Sequence, residues 1–475
     1  MLGLTFLINV SILIGVSAIR SGREEIVFPS IETLRSGEKR LSFRALNQDI
    51  ELKLEAAGDL FGEGFSVESV HDGESEISEL NIEDIKRSLY KDKRTGASLH
   101  IEDKERILIN GIINDNLRIE PIESRKGRRN GAIPHRIYEV ISNDNSHISV
   151  NDAVFPTDYR TSLSNEPFEE LRTGEPIYVE IGIVTDTLFT YSFQKYADLL
   201  IYLSVFLNAV QCRYDNIKPN KVVLILSHVE MNNDTAQEPY IQNHIVDGYL
   251  MMEDALKSFS IFKGNANDPC DIIMLISKRK MAVLRDEKTN TSFAGMAYLG
   301  RACDQQFVPQ RTEKVGIISD QVDYENVNLF AHECAHLGCP HDGDGPDASL
   351  PGHPGSSKCP WSDGYIMSYV DTINSNYFSS CCQENIRYLA NRVDCLRINN
   401  TGNNIRYSYY KPGEYLESSL GLSAFNYENH KLAYYTYRCY NFNSYLYAYP
   451  DGKCQFTCQF NVNGQLYFQT HRCSD

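Results

Sequence analysis

The chain has 475 residues, 42% of them hydrophobic, and a formal net charge of −17. That length and apolar content support two to four domains with ordinary cores and exclude disorder throughout, while the acidic balance argues against a nucleic-acid surface. All 13 cysteines lie from Cys212 onward, the usage of a protein made in an oxidising compartment.

In chain order, Leu2 to Val16 is an apolar stretch that ends in the small residues Val16-Ser17-Ala18, with charge beginning at Arg20. It reads as a signal peptide over residues 1–18, too short for a membrane span of about 18 apolar residues or more, so no membrane anchor is expected after its removal. Residues 19–172 are charged and free of cysteine, and alternating segments such as Leu41 to Leu46 and Arg106 to Gly111 read as strands. The basic cluster Arg125-Lys126-Gly127-Arg128-Arg129 reads either as a processing site or as a solvated loop. From Ile177 to Val184 the pattern changes to strands alternating with amphipathic helices, an α/β organisation. The expected elements are a helix from Tyr196 to Val210, a strand from Val222 to Ser227 and a helix near Val246 to Phe262. A strand Ile272 to Ser277, an edge strand Thr291 to Gly300 and a helix ending near Leu396 complete the series. Residues 399–475 carry Cys439, Cys454, Cys458 and Cys473 among many tyrosines. They read as a small disulfide-stapled module, its tyrosines serving as core or as an aromatic exosite. Sequons at Asn233, Asn290 and Asn399 fit a glycosylated secreted protein.

The chemistry concentrates in Ala331-His332-Glu333-Cys334-Ala335-His336-Leu337-Gly338-Cys339-Pro340-His341-Asp342. On a helix, residues four apart share a face, so His332 and His336 can point at one zinc ion with Glu333 beside it as general base. A catalytic zinc also needs a third protein ligand and an open water position. Gly364-Tyr365-Ile366-Met367-Ser368-Tyr369 follows some 25 residues later and is similar to a methionine turn. Cys334, two positions from His332, points away from the metal and reads as a buried thiol.

These segments, with Phe293 to Cys303 and Phe378 to Gln383 running on to Cys395-Leu396, resemble the metzincins. Within them the likeness is to the reprolysin-like (adamalysin) family, most of all the salivary metalloproteases of blood-feeding ticks. The resemblance spans most of residues 25–398. It implies an α/β metzincin catalytic domain over 173–398, with a mixed twisted sheet and a zinc-binding helix. A β-rich propeptide over 19–172 would precede it and the Cys- and Tyr-rich module over 399–475 would follow. Relatives often cap the zinc with a propeptide cysteine, which this region lacks, so latency here must come from steric cover of the cleft. The family further implies a Cys303–Cys395 disulfide, Met367 as the floor under the histidines, and Tyr369 to Thr372 as part of the specificity-pocket wall. A substrate backbone would add to the edge strand. Calcium near Glu180 and Asn399 is a second implied cofactor, and protein substrates such as host matrix or clotting proteins are the implied targets.

The sequence departs from the family at one place. The third histidine of the pattern lies six positions after the second, whereas His341 lies five after His336, and the missing residue falls between His336 and Gly338. Each helical residue carries about 100° of rotation and 1.5 Å of rise, so the following loop starts from a different place. Either the helix ends early and the loop brings His341 to the metal, or Asp342, at the usual spacing, supplies a carboxylate, or the site is weakened. A loop adjustment costs less than a change of ligand chemistry, which favours His341. The expected activity is zinc-dependent endopeptidase hydrolysis. Its rivals are a secreted binding protein on a weakened protease fold and a structural zinc protein. The structural zinc protein would leave Glu333 idle.

Overall fold

The computed structural model describes residues 21–71, 74–77, 81–103, 106–122, 133–140, 153–154, 170–264, 270–285, 288–304, 311–336, 338–347, 350 and 352–399, and strand backbone at 438–439, 444–448, 455–462 and 465–472. The segment read as a signal peptide, the basic cluster at 125–129 and most of the tyrosine-rich tail lie outside these residues.

The cysteine-free region forms a nine-stranded antiparallel sheet, in the spatial order 21–27, 135–140, 117–121, 108–112, 97–102, 89–92, 48–56, 39–45 and 30–33. Its strands alternate as expected of one buried face: in Gln48–Ala56, Ile50, Leu52 and Leu54 point inward and the residues between them outward. They join Leu41, Leu99, Ile109, Ile119 and Ile137 in one cluster.

The second sheet has eight strands, in the order 153–154, 295–298, 315–319, 272–277, 177–185, 222–232, 61–71 and 74–77. Its centre is parallel, and Ile177–Thr185 is buried almost throughout, as a strand covered by helices on both faces must be. Ile181 and Ile183 face a cluster with Leu203 and Phe206 of the long helix Tyr196–Tyr214. Ile273 and Leu275 face Leu256 and Phe259 of the helix Met252–Gly264. Gly295–Tyr298 runs antiparallel to its neighbour, giving the mixed sheet.

Three expectations shift. The helix placed near 246–262 starts only at Met252, because Asp247 and Gly248 both take positive φ, 51° and 82°, and turn the hairpin that pairs Val246 with Tyr249. Asp-Gly between apolar residues is a strong hairpin signal, masked here by the apolar run around it. The edge strand is shorter than its sequence window. The last helix, Ser380–Ala390, stops before Cys395, and a single tight turn over Asp394–Arg397 carries that cysteine to Cys303.

The second sheet takes strands from both sides of residue 172. Phe61–His71, from the first part of the chain, pairs in parallel with Val222–Asn232 at one edge of the second sheet. Ala153–Val154 pairs in parallel with Ala297–Tyr298 at the other. The nine-stranded sheet also grips the long helix: Ser98 Oγ donates to Val205 O at 2.7 Å, and Asn208 Nδ2 to Tyr90 O at 3.2 Å. Lys91 pairs with Asp215 at 3.0 Å. Arg118, only 3% exposed, inserts its guanidinium into the loop ahead of the motif helix and donates to Asp323 O and Tyr324 O at 3.0 and 2.9 Å. Val322 and Tyr324 there hold φ of 66° and 59°, a left-handed region costly for bulky side chains. A separate four-stranded antiparallel sheet lies within residues 438–472. Among the described residues no helix is long and apolar enough to cross a membrane.

Candidate metal centre and active site

The helix Val327–Ala335 buries Phe330 against Phe206, ring centroids 5.4 Å apart, and Tyr214 donates to Ala331 O at 2.9 Å. Its seating fixes where His332 and Glu333 face. Regular helix ends at Ala335, with His336 as the capping residue. The chain then turns sharply: the Gly338 and Cys339 amides both donate to Ala335 O, and His336 O accepts from Gly300 N at 2.7 Å. Gly338 is pressed so close that a Cβ would lie 3.1 Å from Asn385 O. His353 Nε2 donates to Gly338 O at 2.9 Å, and Cys339 is bonded to Cys382. The short loop is therefore fastened at His336, Gly338 and Cys339.

It brings His341 to the other two imidazoles. One ring nitrogen from each of His332, His336 and His341 lies within 4.8 Å of the others, and all three residues are buried. A carbonyl oxygen can only accept, so the 2.7 Å contact of His332 Nδ1 with Ile366 O and the 2.8 Å contact of His336 Nδ1 with Cys339 O make both Nδ1 atoms the protonated nitrogens. His341 Nδ1 faces Asp344 Oδ2 at 3.4 Å. Each ring thus turns its Nε2 to the shared space, the tautomer and orientation that a carboxylate or carbonyl behind a ligating histidine enforces. Three imidazoles around one point are a donor set that fits a divalent ion.

Asp342 goes elsewhere. Its amide donates to Met367 O at 3.0 Å and its carboxylate accepts from Ser379 Oγ at 2.6 Å, while burial pushes its pKa up to about 6. It ties the loop to Ser379, the N-cap of the last helix. Met367 is fully buried in the same cluster as Ala331 and Ala335. Glu333 faces the edge strand, where a Cβ on Gly295 would come within 2.6 Å of Glu333 Oε1. Two contacts escaped the sequence reading: His353, a lone histidine 15 residues from the carbonyl it holds, and Tyr369, whose hydroxyl lies 3.3 Å from His332 Nε2. Neither carries a local sequence signal beyond its residue type.

The reprolysin profile of metallo-peptidase family M12 matches residues 178–379. Venom metalloproteinase antarease TserMP_A of the scorpion Tityus serrulatus is 34% identical over 400 residues, covering 82% of this chain and 96% of its own. The chain belongs to the reprolysin group of M12 metallopeptidases. Venom metalloproteinase BumaMPs1 of Olivierus martensii is likewise 34% identical, with 79% of this chain and 92% of that protein covered. Among solved structures, metalloproteinase-II from Bacteroides fragilis aligns over 80% of this chain and 93% of its own at 11% identity and a TM-score of 0.37.

This reprolysin is a metalloendopeptidase, and its disulfides brace the active-site side of the molecule. Cys303–Cys395, Cys339–Cys382 and Cys359–Cys381 are formed. Cys212, Cys270 and Cys334 are buried outside them, and burial holds the Cys334 thiol well above its ordinary pKa. Asp271 sits against the Cys303 sulfur, but both sulfurs near it belong to a disulfide and have no thiolate to offer a metal. Its carboxylate accepts from the Glu180 amide at 2.9 Å, and burial followed by the Glu180 charge raises its pKa.

Proposed function

We propose that this metalloendopeptidase is made as a secreted zymogen in which His332, His336 and His341 hold a catalytic zinc, Glu333 is the general base and Met367 floors the site. The observation that carries this reading is the convergence of one ring nitrogen from each of His332, His336 and His341, with carbonyl oxygens fixing the Nδ1 protons of the first two. Bound there, zinc supplies Lewis-acid polarisation of the scissile carbonyl and an acidified water. Glu333 would take the proton of an attacking water and return it to the leaving amine. It lies beside the edge strand Gly295–Tyr298, which offers main-chain groups to an extended substrate. Asp342 anchors the loop.

The domain boundaries follow the sequence: signal peptide 1–18, propeptide 19–172, catalytic domain 173–398 and a C-terminal module 399–475. The pairing of Ala153–Val154 with the edge strand supports latency by steric cover, since those residues lie where substrate would. Calcium is the weaker cofactor. Glu180 and Asp271 are buried side by side, but burial and then the Glu180 charge favour the neutral form of Asp271, which is a poorer calcium ligand than a carboxylate. Host matrix and clotting proteins are the substrates that the likeness to tick enzymes suggests.

The deciding experiment measures zinc content and cleavage of casein by the processed enzyme beside Glu333→Ala. One zinc per chain, with cleavage abolished in the variant, is expected. Zinc without Glu333-dependent cleavage would leave a binding protein on a protease fold.

A further inference from the structure

His353 lies beyond the zinc motif, has no place in the chemistry above, and is only 4% exposed. Its Nε2 faces Gly338 O at 2.9 Å, and its Nδ1 lies 3.0 Å from the Asp347 amide nitrogen. A carbonyl can only accept and a backbone amide can only donate, so one species satisfies both contacts: the neutral ring with its proton on Nε2. The ring stands edge-on to Tyr388 of the last helix, centroids 5.3 Å apart and planes at 89°. The Arg392 guanidinium in turn lies 3.7 Å from the centre of that phenol. Gly338 is buried just past the end of the motif helix, where carbonyls lose their intrahelical partners and need another donor. Gly338 lies three residues before His341 and Asp347 six after it. One imidazole therefore ties the chain on both sides of the third histidine.

We propose that His353 is a positioning residue for the metal site: by holding Gly338 O and the Asp347 amide on one neutral ring, it sets the shortened loop in the shape that delivers His341. This rests on the three-histidine metal reading above. With one residue fewer between His336 and Gly338 than the family pattern has, the segment leading to His341 starts from a different place, and its course is dictated by what grips it after the helix ends. Losing the grip would leave Gly338 O a buried acceptor without its donor and free His341 to move off the point where the other two imidazoles meet.

His353→Phe keeps an aromatic ring against Tyr388 and removes both contacts, whereas His353→Gln keeps a donor for Gly338 O. The full chain, stripped of metal, is titrated with zinc against a chromophoric chelator. His353→Phe should bind zinc about 10-fold more weakly, the lower end of the cost of an outer-shell partner, and His353→Gln should recover most of that loss. In a His341→Ala background His353→Phe should cost no further affinity, because the ligand it acts through is gone. Amide hydrogen exchange of residues 338–342, read without metal, should quicken in His353→Phe. Unchanged affinity and exchange in that variant would overturn the proposal. So would an equal zinc loss with and without His341, the mark of a contact that only stabilises the fold. Exchange separates the two failures: a parent that takes up no zinc while the variant quickens exchange defeats the metal reading, and a parent that binds zinc with neither readout changed defeats the tie alone.

Discussion

Gly295→Ala is the sharpest probe of the active site, because it acts on Glu333 without touching a proposed metal ligand. The added Cβ would lie 2.6 Å from Glu333 Oε1 and 3.0 Å from both Cδ and Cγ, where ordinary contact begins at 3.4 Å. The carboxylate must retreat by roughly 0.4 to 0.8 Å, in a side chain only 1% exposed. Misplacing a reacting group by about 1 Å costs on the order of 100-fold in rate, and overpacking of this kind costs about 1–3 kcal/mol of stability. The expected outcome is a kcat lower by one to two orders of magnitude with zinc content unchanged. The assay is peptide hydrolysis with parallel metal analysis, beside Gly345→Ala, whose Cβ meets nothing within 4 Å and which should behave as the parent. Full activity in Gly295→Ala would refute the placement of Glu333 against the edge strand. Metal lost in proportion to activity would show that the strand disturbs the histidines instead.

Three further outcomes follow from the same geometry. His341→Ala should lose zinc on dialysis, whereas Asp342→Ala should keep it and cost about 1–3 kcal/mol by stripping Ser379 of its acceptor; the reverse order in metal analysis would make Asp342 the ligand. Arg118→Ala removes a buried guanidinium from two loop carbonyls and should destabilise the full chain by about 3 kcal/mol or more. Arg44→Ala, at an exposed ion pair, should stay within about 0.5 kcal/mol in the same melting experiment, and equal shifts would remove Arg118 from its special role. Burial lowers His100 and His135 to about 4. With folded values below the unfolded 6.5, the unfolded chain binds more protons between pH 6.5 and 4, so stability falls across that window as pH drops, by about 3 kcal/mol per histidine at most. Urea titrations at pH 7, 5.5 and 4 should show that slope, and His100→Gln with His135→Gln should flatten it; an unchanged slope would assign it to other groups.

What was legible in the sequence was what depends on near neighbours. The His332, Glu333 and His336 spacing, the strand Ile272–Ser277 and the start of the long helix at Tyr196 follow from periodicities of four residues or two. The Asp247-Gly248 turn was legible too, but it sat inside an apolar window that also fits a helix. Beyond reach were arrangements made by distant chain segments. Gly338 is held by His353 and Cys339 by Cys382, so the outcome of the shortened loop was decided by contacts 15 and 43 residues away. Strand Phe61–His71 likewise has an apolar pattern that any sheet could accept, and nothing in it names Val222–Asn232 as partner.

That borrowed strand bears on how the enzyme could be set free. A cut within the basic cluster at 125–129 would put Phe61–His71 and Arg118 on one fragment and Ala153–Val154 on the other. The severed piece would keep the parallel ladder of Phe61–His71 alongside Val222–Asn232, six residue pairs, and the edge strand would keep its cover, still covalently attached. Breaking the chain and uncovering the cleft would then be separate events, the second needing cleavage between residue 154 and the strand that starts at Ile177. After cleavage at the cluster alone, gel filtration should show both fragments travelling together without activity. Immediate dissociation, or an active product, would mean that the sheet holds its own strands less firmly than their pairing implies.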